Sequence, residues 1–161
     1  MKTKKILAML LSLSMMATTV ATMSVSANED LANIAGTATM STNGNDGFWP
    51  IGQANDGNSG TTAGIYGASE DSYIQDDFGN AQLIKEIVVE NANDHGWTGT
   101  GKARVIRLSN DANFTTYEEM VCYERVNDPA KNERWEYVDY LSKWSYEGDL
   151  PYRYVRVYAQ P

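Results

Sequence analysis

Aromatic rings and polar side chains stand together at several places in this chain, and that combination suits the recognition of sugars. A ring covers the apolar face of a sugar while neighbouring amides, carboxylates or imidazoles bond its hydroxyl groups. We interpret these groups as candidate ligand-binding residues: Phe48 and Trp49 beside the turn at 43–47, and Asn93, Asp94, His95 and Trp97 in one loop. Two alternatives stay open, because a loop ring also packs onto its own sheet and a single histidine in a polar loop is also simply solvated. Arg134 and Trp135 form a third candidate, although the strand predicted there favours burial of Trp135.

A second kind of chemistry is available at residues 53–61, where Asn, Asp, Gly and Thr follow one another closely. A tight turn can direct backbone carbonyls, one carboxylate and one hydroxyl toward a hard cation such as calcium. The segment lacks the alternating acidic residues of an EF-hand loop. Taken alone, the residues are explained better by a metal-free turn, because Asn, Asp and Gly tolerate positive φ and bond their own backbone.

The sequence does not indicate catalytic machinery. The adjacent carboxylates at 76–77 and at 118–119 point to opposite faces of a strand, so neither pair can flank one glycosidic bond. One histidine and one cysteine are too few for the usual acid–base and nucleophile sets. A nucleophile elbow, a zinc-ligand spacing and a phosphate-binding glycine loop are also missing from the sequence. We therefore predict a protein that binds its ligand and is not an enzyme.

The first 27 residues have the layout of a secretory signal peptide. Lys2, Lys4 and Lys5 precede an apolar run at 6–20, and small residues at 25–27 offer a cleavage site. Ser and Thr interrupt the run, which is shorter than the roughly 20 apolar residues of a spanning helix. This argues against the alternative of a membrane anchor. We predict cleavage, secretion, and no membrane insertion of the remaining chain.

Residues 28–161 are expected to form one domain that is held together by burial, because Cys122 is the only cysteine and cannot form an internal disulfide. Loss of the three leader lysines reduces the 13 basic residues to ten, against 21 acidic residues. A surface this acidic repels phosphate backbones and anionic lipids. Nucleic acid is therefore not expected as a partner.

Secondary structure is predicted to be almost wholly β. Segments rich in Val, Ile and Tyr alternate with clusters of Gly, Asn, Asp and Pro, without a sustained helical period. The predicted strands cover residues 83–89, 103–108, 117–123, 135–141 and 152–158. In the last strand Val155 and Val157 face one way while Tyr154 and Arg156 face the other, as in a sheet with one wet side. The pattern predicts an all-β fold, an antiparallel β-sandwich or jelly roll.

Three segments in a fixed order resemble the discoidin domain, also called the coagulation factor 5/8 type C or galactose-binding-like domain. They are residues 54–58 with Thr61 close behind, residues 73–79 (Tyr-Ile-Gln-Asp-Asp-Phe-Gly), and residues 154–158 (Tyr-Val-Arg-Val-Tyr). The ordered set carries the resemblance, since a single Asp-Gly-Asn turn is common. Bacterial members of the family include many carbohydrate-binding modules. The resemblance therefore implies a β-sandwich that binds a glycan.

The resemblance also implies roles for particular loops. The loop after the strand at 83–89 commonly contributes ligand contacts in such modules, so the first choice of site is Asn93, Asp94, His95 and Trp97. The second choice is Phe48 and Trp49. For the turn at 53–61 the resemblance implies a structural calcium ion. Its implied ligands are the carbonyls of Gln53 and Asn58, the carboxylate of Asp56, and the hydroxyl and carbonyl of Thr61.

Two features depart from the family pattern. Asp76 stands where relatives have an apolar residue, and an apolar core penalises a carboxylate there unless it finds a partner. The chain also stops at Gln160 and Pro161, where relatives continue into a closing strand that often carries a Glu for the cation. Either the sequence is a fragment of a longer protein, or the sandwich closes differently and leaves an unpaired edge.

We therefore predict a secreted, monomeric, non-catalytic carbohydrate-binding module, alone or as an accessory module of a carbohydrate-active enzyme. Loops at one end of the sandwich would recognise a terminal sugar of a glycan. The alternative is a cell-surface adhesion domain that uses the same loops on a protein partner.

Overall fold

The computed structural model describes residues 31–91, 105–127 and 140–158, all of whose strands lie in one compact unit, Asn33–Pro161. Two short 3-10 helices, Ala35–Thr37 and Ile51–Ala54, accompany eight strands in this part of the chain. The strands are β1 (Thr39–Thr42), β2 (Tyr73–Gln82), β3 (Glu86–Glu90), β4 (Val105–Ser109), β5 (Glu118–Glu119), β6 (Val121–Val126), β7 (Leu141–Ser145) and β8 (Tyr152–Tyr158).

The described strands form two antiparallel sheets. A five-stranded sheet has the order β1-β2-β8-β4-β5, and a three-stranded sheet has the order β3-β7-β6. This confirms the predicted all-β antiparallel sandwich. The missing closing strand stays a prediction, because residues 159–161 lie outside the described ranges.

Strand boundaries differ from the prediction where the chain changes sheet. The segment 117–123 is not one strand, because β5 belongs to the five-stranded sheet and β6 to the three-stranded sheet. Met120 lies between them with 5% of its surface exposed, and its N–H donates to the carbonyl of Ile106 at 2.9 Å. The residue therefore acts as a buried corner between the two layers. Residues 135–139 of another predicted strand lie outside the described residues, and β7 begins at Leu141.

The core lies where the two sheets face each other. Ile106 and Leu108 of β4 are fully buried, and Trp144 of β7 and Val155 of β8 are nearly so. Further members of this cluster are Ile84, Met120 and Tyr152. Fully burying each large apolar side chain contributes about 1.5–3 kcal/mol. The predicted alternation of β8 is confirmed, since Val155 is a core residue and Arg156 faces outward.

Arginine and aromatic rings cover the outer face of the five-stranded sheet. The guanidinium carbon of Arg156 lies 3.9 Å from the ring centre of Tyr73 and 4.1 Å from that of Phe114. Its Nε donates to Oε1 of Gln75 at 2.8 Å, and its Nη2 donates to the carbonyl of Ala112 at 2.8 Å. Stacking and hydrogen bonding together fix the side chain. The guanidinium of Arg156 therefore already has its partners on this face, and we assign the residue a structural role.

Asp76 and Asp77 of β2 lie on opposite faces, as a strand requires. Asp77 faces outward and accepts two hydrogen bonds from Arg153, at 2.7 and 2.9 Å, which hold the pKa of its carboxyl below the usual range. Asp76 pairs in register with Met40 and Val155 on the inner face. Burial raises its pKa to about 6. The predicted penalty for a carboxylate at this position is therefore visible in the structure.

One end of the sandwich gathers the ends of the strands that flank the long loops. Thr42 pairs with Ile74, and Tyr158 pairs with both Tyr73 and Val105. At the opposite end only residues 83–85 connect β2 to β3, so the two sheets run alongside each other from there. We call the end at Thr42, Tyr73, Val105 and Tyr158 the upper rim and the other end the lower rim. Loop 43–72 therefore emerges at the upper rim.

Candidate functional site

Three aromatic side chains form a cluster in loop 43–72 at the upper rim. The ring of Phe48 lies 5.9 Å from that of Trp49 and 6.0 Å from that of Tyr66, with tilted planes. Phe48 is 73% exposed and Tyr66 is 52% exposed. Large apolar rings at this exposure are costly to leave in water. The cluster is therefore the candidate ligand platform of the described residues.

Main-chain hydrogen bonds hold this ring cluster in place. The N–H of Tyr66 donates to the carbonyl of Asn45 at 2.7 Å, and the N–H of Gly64 donates to the carbonyl of Trp49 at 3.2 Å. Trp49 also donates its N–H to the carbonyl of Asp46 at 3.0 Å. The Asp46 carboxylate accepts the N–H of Ile51 at 3.0 Å. The two halves of the loop are thus cross-linked beneath the rings.

A close approach of the two halves requires glycine at position 44. A Cβ at Gly44 would overlap the side chain of Ile65. Gly44 also donates its N–H to the hydroxyl oxygen of Thr42 at 3.1 Å, at the end of β1. The glycine therefore brings the segment that carries Phe48 against the segment that carries Tyr66.

The two rings predicted at 48–49 have different environments. Trp49 is half-buried, and its ring lies against the backbone of Gly64. Phe48 is exposed and is the stronger candidate of the pair. Tyr66 was missed by the sequence analysis, although Gly67, a turn residue with φ of 66°, follows it directly. A ring beside a glycine turn was the signal used for Phe48, and the same signal could have found Tyr66.

The first-choice residues, Asn93, Asp94, His95 and Trp97, lie outside the described residues, as do Arg134 and Trp135. The structure does fix the residues next to those segments. The N–H of Asn91 donates to the carbonyl of Tyr140 at 2.8 Å, and that of Tyr140 donates to the carbonyl of Val126 at 2.8 Å. Segments 92–104 and 128–139 therefore start from neighbouring points. Val105, the residue that follows segment 92–104, lies at the upper rim.

Hydrogen bonds organise the turn at 53–61 around Asp56. The Asp56 carboxylate accepts the N–H of Asn58 at 2.8 Å and the hydroxyl of Thr61 at 2.8 Å. The Thr61 hydroxyl oxygen also lies 2.8 Å from the carbonyl oxygen of Asn58. Gly57 has a φ of 74°, which permits the reversal between these residues. Oxygens of Asp56, Asn58 and Thr61 consequently converge at one point.

This convergence fits a hard cation. Calcium takes oxygen ligands at 2.3–2.6 Å, so its ligand oxygens lie about 3 Å from one another. Gln53 lies in the 3-10 helix Ile51–Ala54, just before the oxygen cluster of the turn. Among the described residues no group of three or more His, Cys, Asp and Glu side chains could hold a metal. The oxygen set at this turn contains one carboxylate and is otherwise neutral, which favours weak binding.

Comparison with known proteins identifies the family. Residues 37–161 match the F5/8 type C domain. The chain belongs to this family. The resemblance drawn from residues 54–58, 73–79 and 154–158 is thereby confirmed. A comparison with curated proteins found no match to this chain.

Solved structures with the same fold include carbohydrate-binding modules. Chitosan-binding module 1 of a chitosanase/glucanase from Paenibacillus sp. IK-5 has a TM-score of 0.59 and 17% identity, covering 81% of this chain and 87% of its own. Module 2 of that protein, in complex with chitotriose, gives 0.58 and 18%, covering 80% and 87%. The family 32 module of C. perfringens NanJ, in complex with galactose, gives 0.57 and 16%, covering 79% and 85%. At these identities the likeness establishes the fold.

Neither carboxylate pair weighed in the sequence forms a catalytic arrangement. Asp76 faces the core and Asp77 faces outward in a pair with Arg153. Glu118 and Glu119 are both exposed on the edge strand β5, where Glu119 pairs with Arg107. Helices of the described residues are short, and none has the length and hydropathy needed to cross a bilayer.

Proposed function

We propose that this F5/8 type C domain is a carbohydrate-binding module that holds a glycan at its upper rim without altering it. The observation that carries the proposal is the exposed pair of rings, Phe48 and Tyr66, on a loop cross-linked by main-chain hydrogen bonds. Structural relatives support it, since their names record binding of chitosan and complexes with galactose and chitotriose.

The binding mechanism follows from the chemistry of the rim. The apolar face of a pyranose would displace water from Phe48 or Tyr66, because both rings expose half or more of their surface. Asn45 already uses its side-chain oxygen to accept the N–H of Gly47 at 3.0 Å. Its amide nitrogen is then a donor for a ligand hydroxyl. With few such groups, affinity at one site should be weak.

The finer specificity that we propose is for a terminal sugar. Phe48 and Trp49 would supply the platform together with Tyr66. A second group would read the orientation of the hydroxyls: Asn93, Asp94, His95 and Trp97. Both loops start or end at the upper rim, which supports their joint use.

We propose a calcium ion as a structural element of the turn beside this rim. Its ligands would be the Asp56 carboxylate, the Thr61 hydroxyl and carbonyl, and the carbonyls of Gln53 and Asn58. The ion would tie the turn to the 3-10 helix Ile51–Ala54, which contacts β1. In this role it stabilises the loop and takes no part in chemistry.

We further propose that residues 1–27 direct secretion and that the domain acts outside the cell as a monomer. Joined to a carbohydrate-active enzyme, such a module raises the effective concentration of the enzyme at its substrate. Weak affinity at each single site is compatible with this role.

The proposal is tested by ring removal. We expect Phe48→Ala with Tyr66→Ala to abolish binding to every sugar that the unmodified domain recognises on a glycan array, and to leave the melting temperature nearly unchanged. Tyr123→Ala is the matched control, because Tyr123 is 51% exposed but lies on β6, away from loop 43–72. Calorimetric titration with the sugar that binds best on the array measures the affinity of the unmodified domain, the double variant and the Tyr123→Ala control.

Three outcomes count against the proposal. Undiminished sugar binding by the double variant would remove the rings from the site. Release of reducing sugar from a bound glycan would make the domain an enzyme. An empty glycan array together with capture of a surface protein that depends on Phe48 would establish the adhesion domain instead.

A further inference from the structure

A row of aromatic rings and one guanidinium crosses the outer face of the five-stranded sheet. It begins at Tyr73, the residue that follows loop 43–72, whose ring meets that of Tyr158 edge-on with 5.7 Å between the ring centres. The guanidinium carbon of Arg107 lies 4.9 Å from the ring centre of Tyr158 and 4.2 Å from that of Tyr117. We call Tyr73, Tyr158, Arg107 and Tyr117 the aromatic row.

The aromatic row starts where loop 43–72 ends and reaches the far edge of the sheet. Its members belong in turn to β2, β8 and β4, and Tyr117 directly precedes the edge strand β5. The sheet order β1-β2-β8-β4-β5 places two strands between β2 and β5. With neighbouring strands about 4.8 Å apart, the row spans about 14 Å. One sugar is much smaller than this span, whereas several linked sugars can cover it.

Arg156 holds the middle of the aromatic row in place. Its guanidinium carbon lies 3.9 Å from the ring centre of Tyr73, and its Nη1 donates to the hydroxyl oxygen of Tyr158 at 3.4 Å. Its Nε and Nη2 bond Gln75 and Ala112. The two tyrosines are thus fixed before a ligand arrives, which reduces the ordering cost of binding.

Arg107 has hydrogen-bond donors to offer a ligand. Its side chain is 29% exposed, and its Nε donates to Oε2 of Glu119 at 3.3 Å. Within the described part of the chain this is the one protein acceptor that the guanidinium bonds, so the N–H groups of Nη1 and Nη2 are available. The side chain of Glu119 is 54% exposed and keeps its second oxygen as an acceptor. Donor and acceptor therefore stand side by side, as two adjacent hydroxyl groups of a sugar require.

The charges along the aromatic row favour an uncharged ligand. Glu119 balances the charge of Arg107 in the ion pair. Hydrogen bonds from Thr115 and the charge of Arg156 hold the pKa of the Asp111 carboxyl below its usual range, so Asp111 is ionised close to Arg156. Each arginine of this face consequently has a carboxylate beside it. A negatively charged sugar gains no net attraction here, and hydroxyl groups are the better partners.

We propose that the aromatic row is a second contact surface, along which an uncharged glycan continues from the sugar held at loop 43–72. The inference rests on the proposed function and adds to it a subsite for inner sugars of the chain. An inner sugar would lay its apolar face on Tyr117, which is 45% exposed, while Arg107 and Glu119 bond two neighbouring hydroxyls. This contact alone is weak, because it uses one ring and few polar groups. It adds affinity once the terminal sugar is bound, since both contacts then belong to one chain.

The test compares short and long ligands by calorimetric titration: the monomer and hexamer fragments of chitin, cellulose, mannan and galactan. For the series that binds most tightly, we expect the unmodified domain to hold the hexamer more tightly than the monomer. Tyr117→Ala should weaken hexamer binding about three- to tenfold and leave monomer binding unchanged. Glu119→Gln should also weaken only the hexamer. Both side chains are exposed, so the melting temperatures should stay close to that of the unmodified domain.

Two further variants show whether the effect belongs to the aromatic row. Tyr123→Ala is the matched control, because Tyr123 is 51% exposed but lies on β6 of the other sheet. This control should retain both affinities. Phe48→Ala with Tyr66→Ala should lose the monomer and the hexamer alike, because the row alone holds a chain too weakly.

The outcomes separate this inference from the proposed function. Equal affinity of the unmodified domain for monomer and hexamer, or a hexamer affinity that Tyr117→Ala does not reduce, overturns the subsite while carbohydrate binding stands. The same holds if Tyr117→Ala weakens the monomer as much as the hexamer, or if Tyr123→Ala has the same effect as Tyr117→Ala. Undiminished hexamer binding by the Phe48 and Tyr66 variant overturns the rim as the principal site. No binding of any fragment overturns the inference, and together with an empty glycan array it overturns the proposed function as well.

Discussion

At the scale of single residues, the two neighbouring aspartates of β2 show how position decides the chemistry of a carboxylate. Asp76 faces the core, where burial raises its pKa to about 6. Asp77 faces outward, where hydrogen bonds from Arg153 lower its pKa. Identical side chains one residue apart therefore couple the stability of the fold to pH with opposite signs.

This contrast predicts the effect of replacing each aspartate. The ordinary pKa of an aspartate carboxyl is 3.8, and burial raises that of Asp76 to about 6. The folded state therefore holds this proton more tightly than the unfolded state, and it loses stability as pH rises from about 4 to 6. Asp76→Asn should therefore gain about 2–3 kcal/mol relative to the unmodified domain between pH 4 and pH 7. Urea unfolding across this pH range measures the difference.

Asp77→Asn is the internal control for that measurement. The lowered pKa of Asp77 means that its contribution is present above the unfolded-state pKa and is lost as pH falls through the native-state pKa. This variant should be less stable at neutral pH, by up to about 1 kcal/mol for an exposed pair, with the deficit shrinking on acidification. A pH-independent difference for Asp76→Asn would contradict the inward placement of that carboxylate.

At the scale of structural elements, the turn at 53–61 predicts how stability responds to calcium. If the ion binds the converging oxygens of Asp56, Asn58 and Thr61, chelation should lower the melting temperature by several degrees, since a ligand of the native state stabilises it by mass action. Asp56→Asn should lose most of this response. Differential scanning calorimetry with calcium and with chelator measures the shift.

Glu70→Gln serves as a comparison for that experiment, because it removes one carboxylate from the same loop away from the turn. Its calcium response should match that of the unmodified domain. An equal melting temperature of the unmodified domain in calcium and in chelator would mean that hydrogen bonds alone hold the turn.

The strands β3, β4 and β8 could be predicted closely, whereas β1, β7 and the change of sheet between β5 and β6 could not. The alternation predicted for 154–157 matches β8, because Val155 lies in the core and Val157 packs against it, while Arg156 faces its ring partners. It fails at the start of the strand, where Tyr152 belongs to the core and Arg153 bonds the outward-facing Asp77.

The alternating pattern at 117–123 does not show the interruption at Met120. This interruption arises because β5 joins one sheet and β6 joins the other. β7 was missed at 142–145 because Ser142, Ser145 and Lys143 weaken the apolar pattern around Trp144.

Part of the geometry at the candidate site was indicated by the sequence, while the binding roles of its residues stay predictions. Phe48 could be found from its neighbouring turn, and Asp56 with Thr61 from the resemblance. Tyr66 joins the cluster through its main-chain bond to Asn45, 21 positions away, and this pairing has no sequence signal. Trp49 packs against Gly64 and is half-buried, whereas Phe48 is 73% exposed, and this difference has no sequence signal.

At the scale of the whole molecule, the two sheets are expected to unfold as one unit. Trp144 belongs to the three-stranded sheet, with 1% of its surface exposed, and shares a core with Ile106 and Val155 of the five-stranded sheet. Trp144→Ala should reduce the free energy of unfolding by about 3–5 kcal/mol and keep a single transition. Leu150→Ala, at a position 61% exposed, should change it by less than about 0.5 kcal/mol.

Fluorescence and circular dichroism should follow the same urea midpoint in the Trp144 experiment. Separate midpoints would mean that the sheets melt independently. Sugar binding measured along the same titration should disappear at that midpoint. Loop 43–72 connects β1 and β2 of the five-stranded sheet, which shares its core with the three-stranded sheet.

The close approach of Gly44 to Ile65 fixes the backbone of loop 43–72, which we call its frame. The side chains that can contact a ligand are separate from this frame. Substitution at Gly44 disturbs the frame, while Phe48, Tyr66, Glu70 and Asp71 project from it with exposed side chains. A library that randomises those four exposed positions and leaves the frame intact would therefore vary ligand preference without unfolding the scaffold. The domain is in this respect a ready framework for engineered lectins.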